Sequence, residues 1–241
     1  MRTLLLSDIH SNLPALEAVL ADAEGEFDAA WVLGDTVGYG ADPSACVAIV
    51  RDLDALAIAG NHEMAAIGNM TAEHFNPVAR RAIEWTASVL SEDEREYLLG
   101  LQLVETAGRF TLVHGSPSDP VWEYLTTPYQ LLVNLEHFET TACAVGHSHQ
   151  PFNIGVSDGK AEQVKHTPGE RERLIGDRLY VNPGSVGQPR DRDKRASFAL
   201  LDQQAWDIEF RRVEYDTPRA QARIREKRLP DFFADRLALG Q

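Results

Sequence analysis

The chain has 241 residues, 44% of them hydrophobic, with 37 acidic side chains against 23 lysines and arginines. That length suits one large domain or two small ones around a buried core, and the ordinary apolar and charged fractions exclude general disorder. The net charge of −14 opposes unspecific binding along nucleic acid or to an anionic membrane, although bound cations could make one pocket positive for an anionic substrate.

No run approaches the roughly 18 apolar residues of a membrane span. Asp8 interrupts the N-terminal apolar run before a secretory leader forms. The two cysteines, Cys46 and Cys143, lie in apolar surroundings, so a cytoplasmic location is expected rather than a disulfide framework.

The first half alternates short apolar runs with amphipathic stretches, the mark of βα units around a buried sheet. Residues 3–6 read as a strand. Asn12 then caps a helix with Pro14 in its first turn and Leu13, Leu16, Val19, Leu20 and Ala23 as its apolar stripe. Residues 29–33 form a second strand, Asp42-Pro43 opens a helix burying Val47, Val50 and Leu53, and residues 55–59 form a third strand. Asn76-Pro77 starts a helix to about Leu90, and Ser91 with Glu94 makes a capping box for a short helix to Leu99. Strands at 110–113 and 142–145 flank a helix over 128–138.

After residue 150 the period changes. Runs at 153–156 and 162–164 flank Asp158-Gly159, a hairpin signal. Further strands are expected at 179–181, 197–201 and 206–213, and helix over 218–238 with a break at Pro230. Residues 158–178 are polar and read as mobile surface. With no linker or repeat, a single domain over 1–241 is the simplest organisation.

The informative pattern is where metal-capable side chains fall. Asp8 and His10 follow the first strand, Asp35 the second, Asn61 and His62 the third, His114 the fourth, and His147 and His149 the fifth. In an open α/β sheet such carboxyl ends share one edge, where sites assemble. Two divalent ions roughly 3.5–4 Å apart need a ligand that touches both. A carboxylate can bridge and a neutral imidazole cannot, so Asp35 is the natural bridge. Asp8, His10 and one late histidine would complete one ion, and Asn61, His114 and the other late histidine the second. Two aspartates leave about two positive charges uncompensated, which suits phosphate. The mixed N/O set suits manganese first, with iron, nickel, cobalt or zinc as alternatives, better than calcium.

The order Asp8-Ile9-His10, Gly34-Asp35, Gly60-Asn61-His62-Glu63, His114-Gly115 and Gly146-His147-Ser148-His149 resembles the calcineurin-like metallophosphoesterase family. Asn182-Pro183-Gly184-Ser185-Val186-Gly187 extends the likeness toward its small bacterial and archaeal phosphodiesterase branch. The resemblance implies a four-layer α/β/β/α sandwich of two mixed sheets flanked by helices. It implies Asp8, His10, Asp35 and His149 on the first metal and Asp35, Asn61, His114 and His147 on the second. It makes His62 the catalytic histidine that is not a ligand. The implied reaction is hydrolysis of a phosphodiester, or a phosphomonoester, by a metal-bridging hydroxide with His62 assisting the leaving group.

The departures are equally specific. Protein serine/threonine phosphatases of this superfamily resemble GD-x-V-D-R-G at the second motif and R-G-N-H-E at the third. Here the second reads Gly34-Asp35-Thr36-Val37-Gly38-Tyr39-Gly40, and Ala59 stands where the arginine would be. Phosphoprotein phosphatase activity is therefore not expected, and the motifs supply no orienting partner for His62. The expected partner is a small phosphorylated molecule, with a dinucleoside polyphosphate such as diadenosine tetraphosphate as the alternative substrate. A non-catalytic protein-binding scaffold is the third reading.

Asn12 and Tyr39 fall on the metal edge as candidate substrate contacts. Trp122 and Tyr124 fit either packing or a cleft wall. Arg190 and Asp191 read as a surface or loop-fixing pair, with a phosphate contact as the alternative, and Arg223, Arg225, Lys227 and Arg228 as a solvated helix face. The turn from Asn182 to Gly187 reads as a support for the metal edge.

Overall fold

In the computed structural model, which describes residues 1–241, strand β1 (Arg2–Leu6) sends Leu5 to one face and Leu4 and Leu6 to the other. Strand β2 (Ala29–Leu33) repeats the division, with Trp31 and Leu33 on one side and Ala30 and Val32 on the other. Strands buried on both faces read as continuous apolar runs and need a packed layer on each side.

The two layers are different in kind. Leu4, Leu6 and Val32 pack against α1 (Leu13–Asp22), α2 (Pro43–Asp52), α4 (Pro77–Val89), α7 (Thr217–Glu226) and α8 (Asp231–Leu237). Leu5, Trp31 and Leu33 pack instead on Phe110, Leu112, Ala144, Leu179 and Val181 of a second sheet. That sheet covers its outer face with α6 (Pro128–Asn134), through Leu131 against Cys143 and Tyr180. The result is a four-layer α/β/β/α sandwich, as the resemblance implies.

Each sheet has six strands. The first runs β3 (Leu56–Ile58), β2, β1, β11 (Ala196–Asp202), β12 (Asp207–Val213), β9 (Arg171–Arg173). The second runs β4 (Val104–Ala107), β5 (Phe110–Val113), β6 (Ala142–Ala144), β10 (Arg178–Asn182), β7 (Phe152–Ser157), β8 (Lys160–Val164). Strands β1, β2 and β3 are parallel, as are β5, β6 and β10, while the remaining pairings are antiparallel. Parallel strands end at a common edge, so the loops after β1, β2, β3, β5 and β6 converge.

Several expectations change in detail. The polar stretch 158–178 contains β8 and β9, each at the edge of a sheet. Their composition hides them because an edge strand need bury neither face. Strand β4 escapes for the same reason, its residues being exposed or half-buried throughout. A short helix α3 (Asn61–Ala66) follows β3 directly, and α6 stops at Asn134 before a 3-10 turn over Leu135–His137. The cysteines are buried and unpaired, and no helix is long and apolar enough to cross a membrane.

Candidate metal centre

The converging loops have an unusual backbone. Asp8, His10, Asp35, His147 and His149 all adopt left-handed conformations, with φ between 48° and 63°. Non-glycine residues reach this region at a cost of about 1–2 kcal/mol, and such strain clusters at functional sites. Hydrogen bonds between loops hold it in place. The His10 N–H donates to the Asp35 carbonyl at 2.9 Å, the Asp8 N–H to the Gly34 carbonyl at 3.1 Å, and the Gly187 N–H to the Asp8 carbonyl at 3.0 Å.

The turn from Asn182 to Gly187 does support this edge. Asn182 Nδ2 donates to the Gly146 carbonyl at 2.7 Å, and Ser185 Oγ donates to the Asp8 carbonyl at 2.8 Å.

Four imidazoles meet in the centre, and each is tied at its outer nitrogen to a backbone carbonyl. His10 Nδ1 bonds the Val37 carbonyl at 3.2 Å, and His149 Nδ1 bonds that of Gln188 at 2.6 Å. His114 Nδ1 bonds the Leu33 carbonyl at 2.8 Å, and His147 Nε2 bonds that of Trp122 at 3.2 Å. A carbonyl only accepts, so the outer nitrogens carry the protons and the neutral rings turn bare lone pairs inward. Those lone pairs face one another: His10 Nε2 lies 3.2 Å from His149 Nε2, and His114 Nε2 lies 3.1 Å from His147 Nδ1.

The carboxylates add further acceptors. Asp8 Oδ2 is satisfied by Ser7 Oγ at 2.6 Å and by the His147 N–H at 3.1 Å. Asp8 Oδ1 is buried with no donor, 3.1 Å from His149 Nε2. Asp35 Oδ1 accepts the His62 N–H at 3.0 Å. Its Oδ2 sits 3.3 Å from His114 Nε2 and 3.7 Å from His10 Nε2, between the two groups. Asn61 Oδ1 closes the second group at 3.1 Å from His114 Nε2. Buried lone pairs in mutual contact are costly without a cation between them, and a carbonyl-fixed imidazole is the usual posture of a metal ligand. The donor set therefore fits a divalent metal centre, with Asp8, His10 and His149 grouped on one side, Asp35, His114 and His147 on the other with Asn61 beside His114, and His10, Asp35 and His62 as a third close group between them.

The electrostatics agree. At His114, burial lowers the imidazole but Asp35 and Asp8 outweigh it and hold it up at about 10, so with no cation present this ring takes a second proton at the place a cation would occupy. Burial would raise Asp8 and Asp35, yet the surrounding histidines keep both carboxyls below their ordinary range.

His62 stands at the first turn of α3, its Nε2 4.0 Å from Asp35 Oδ2. Burial pushes it down to about 4. Its Nδ1 is buried without a partner. Gly38 explains this: with φ at +93°, a Cβ there would come within 2.1 Å of His62 Nδ1. The ring is held instead by aromatic edges, Tyr39 at 4.3 Å and Phe75 at 5.1 Å between centroids.

Glu63 is a residue for which the motif alone suggests no role. It is fully buried and accepts the N–H groups of Asp35 at 2.7 Å, Val37 at 3.0 Å and Gly60 at 2.8 Å. One carboxylate thus ties the loop after β2 to that after β3. Burial, with Asp35 nearby, raises its carboxyl to about 7.

An open cleft of about 460 Å³ lies over the centre, lined by Asp35, Asn61, His62, His147 and His149 together with Tyr39, Phe75, Trp122, Tyr124 and Arg190. Tyr124 stacks on His147 at 3.9 Å and remains 42% exposed. Tyr39 faces the cleft, but Asn12 does not line it. The Asn12 side chain donates to the Gly187 carbonyl at 2.8 Å and accepts the Ala15 N–H as the cap of α1. Arg190 departs from the preferred reading of a pair with Asp191: it lines the cleft, as the alternative of a phosphate contact requires, and Asp191 pairs with Arg212 instead. The clue available in sequence was the glycine-rich turn just before it, which the structure pins to Asp8.

The sequence matches the calcineurin-like phosphoesterase superfamily domain over residues 1–205. It is 38% identical over 244 residues to the uncharacterized protein MJ0912 of Methanocaldococcus jannaschii, covering 98% of this chain and 97% of that one. The crystal structure of a metallophosphoesterase from Sphaerobacter thermophilus superposes with a TM-score of 0.90 at 42% identity, covering 100% of both chains. The hypothetical protein PH1004 from Pyrococcus horikoshii shares the fold, with a TM-score of 0.81 at 21% identity over 100% of this chain and 98% of that one. Motif order, a strained histidine-rich edge and these likenesses agree: the chain belongs to the calcineurin-like phosphoesterase superfamily.

Proposed function

We propose that this protein is a two-metal phosphoesterase that hydrolyses phosphodiester bonds in small phosphorylated molecules. The observation that carries the reading is the set of four imidazoles, each with its outer nitrogen on a backbone carbonyl and its inner nitrogen bare. We assign Asp8, His10 and His149 to one cation, Asn61, His114 and His147 to the other, and Asp35 to both. When bound, two divalent cations supply Lewis acidity to the phosphoryl oxygens and an acidified water as nucleophile; manganese leads the candidates, ahead of iron, nickel, cobalt and zinc.

The protein's own contribution beyond the ligands centres on His62. At neutral pH the ring is uncharged and carries one proton. A proton on Nδ1, packed on Gly38, would lack an acceptor, so it resides on Nε2, facing the cleft. There it can hydrogen-bond the oxygen that leaves phosphorus and stabilise the charge that develops on it. Helices α7 and α8 share the core cluster of the first sheet, which supports one domain over 1–241. The unpaired cysteines suit a reducing, cytoplasmic setting.

A dinucleoside polyphosphate is the second substrate reading, and the exposed ring of Tyr124 beside Trp122 and Phe75 favours it. Elemental analysis coupled to hydrolysis of bis(p-nitrophenyl) phosphate, with and without added Mn²⁺, tests the proposal. The expected result is about two metals per chain with turnover. Asp35→Asn should lose both together, while His62→Ala should keep both metals and lose rate by roughly 10²–10⁴-fold. A chain that takes up no metal and turns over no ester would return the protein to the scaffold reading.

A further inference from the structure

We propose that Arg190 is an anion-binding arm of the cleft that holds a second phosphoryl group of the substrate, next to the one being cleaved. This rests on the two-metal reading and adds to it a class of substrate: a phosphoester or phosphoanhydride carrying adjacent phosphates.

Arg190 lines the cleft without a carboxylate partner. Several other arginines of this acidic chain do find one: Arg211 bonds Glu26 and Glu209, Arg195 bonds Asp193, and Arg223 bonds Asp42. With 37 acidic side chains against 23 basic ones, an unpaired guanidinium is not a shortage of partners. Yet Arg190 bonds only uncharged groups, Gln188 Oε1 from Nη2 at 3.2 Å and the Tyr124 phenol, and its Nε is buried without an acceptor. The acid beside it in sequence, Asp191, is taken by Arg212.

Its surroundings raise the local charge further. Arg236 of α8 donates from Nε to the Gln241 main-chain oxygen and stacks over Phe232, and burial together with the charge of Arg190 brings it down to about 10. Arg190 shares the cleft lining with Asp35, Asn61, His62 and His149, so whatever it binds sits beside the reacting phosphate. The phenolic groups of Tyr39 and Tyr124 lie close enough to feel its charge.

Charge counting separates one phosphate from two. Two divalent cations less Asp8 and Asp35 leave about two positive charges on the floor, enough for a single phosphoryl group. The planar fork of a guanidinium then offers two parallel donors to a further phosphate. The open face of Tyr124 is placed to receive an aromatic base attached to those phosphates.

The test is binding of AMP and ADP to the manganese-loaded protein by calorimetry. ADP should bind roughly 10–100-fold more tightly than AMP, the range of one charge-assisted bidentate contact. Arg190→Gln should bring that ratio close to one, and Arg190→Lys should leave it intermediate. Metal content and melting temperature of each variant show that the site is intact. A wild-type ratio near one overturns the proposal, and so does a ratio that Arg190→Gln leaves unchanged. A chain that holds no metal fails the parent reading and is recognised before any nucleotide is added.

Discussion

The floor of the cleft and its wall are built from different materials. The floor, from Asp8 to His149, is wired through main chain: strained loops hydrogen-bond one another, and four backbone carbonyls fix four imidazoles. The wall is made of side chains from separated segments, Tyr39, Phe75, Trp122, Tyr124 and Arg190, and Arg190 bonds only Gln188 and Tyr124. A centre that must hold cations tolerates little displacement, and backbone hydrogen bonds supply that stiffness. A wall that meets substrate can vary its side chains without disturbing the sheets. Chemistry should therefore fail when the wiring is cut, and selectivity should change when the wall is altered.

Glu63 is the sharpest place to cut. Its carboxylate serves three buried N–H groups on two loops, one of them the N–H of Asp35. Glu63→Ala leaves all three without that acceptor and should cost about 3–5 kcal/mol. For a chain of this size that is a fall of roughly 6–20 °C in melting temperature. Metal retention through dialysis should fall with it, because Asp35 loses its backbone anchor. A Glu63→Ala protein with wild-type melting temperature and metal content would show that the floor does not depend on this wiring.

These two materials also explain how far the sequence could be read. The floor was legible because every ligand-type residue follows an apolar strand within a few positions, and parallel strands carry their following loops to one edge. The mixed order of the sheets was not legible from periodicity, since β11 and β12 join β1 across nearly the whole chain. The edge strands β4, β8 and β9 carried no apolar signal. Arg190 was legible only as the lesser alternative for a related reason: its position depends on the turn at 182–187 docking on Asp8, a contact between residues about 180 apart. Glu63 could be quoted within its motif, but its three partners lie on backbone that only the fold brings near.

Gly38 tests the contact between floor and wall at a smaller scale. Its left-handed φ already disfavours any side chain, and a Cβ would strike His62 Nδ1. Gly38→Ala should cost about 1–2 kcal/mol from backbone strain and move the His62 ring. The expected outcome is two retained metals with a rate on bis(p-nitrophenyl) phosphate lowered roughly 10²-fold, at the lower end of what losing such a hydrogen-bond donor costs. Metal analysis and turnover on one preparation decide it. Lost metal would place Gly38 within the floor, whereas unchanged turnover would mean the ring position of His62 is immaterial.

Arg223 gives the smallest expected effect. The sequence reading made it part of a solvated helix face, but it reaches from α7 to Asp42, donating from Nε to Oδ2 at 2.6 Å. Asp42 begins α2 and donates its own N–H to the Ser11 carbonyl at 3.1 Å, so the pair anchors the C-terminal helices behind Tyr39. The arginine is about a third exposed and the aspartate nearly buried, which places the interaction above an ordinary surface pair. Arg223→Met keeps the aliphatic stem and removes the charge. It should lower stability by about 0.5–1.5 kcal/mol, or roughly 1–6 °C in melting temperature, with turnover within about threefold of wild type. A tenfold loss of rate with both metals in place would break the division, because it would mean that the helices behind the wall govern the chemistry of the floor.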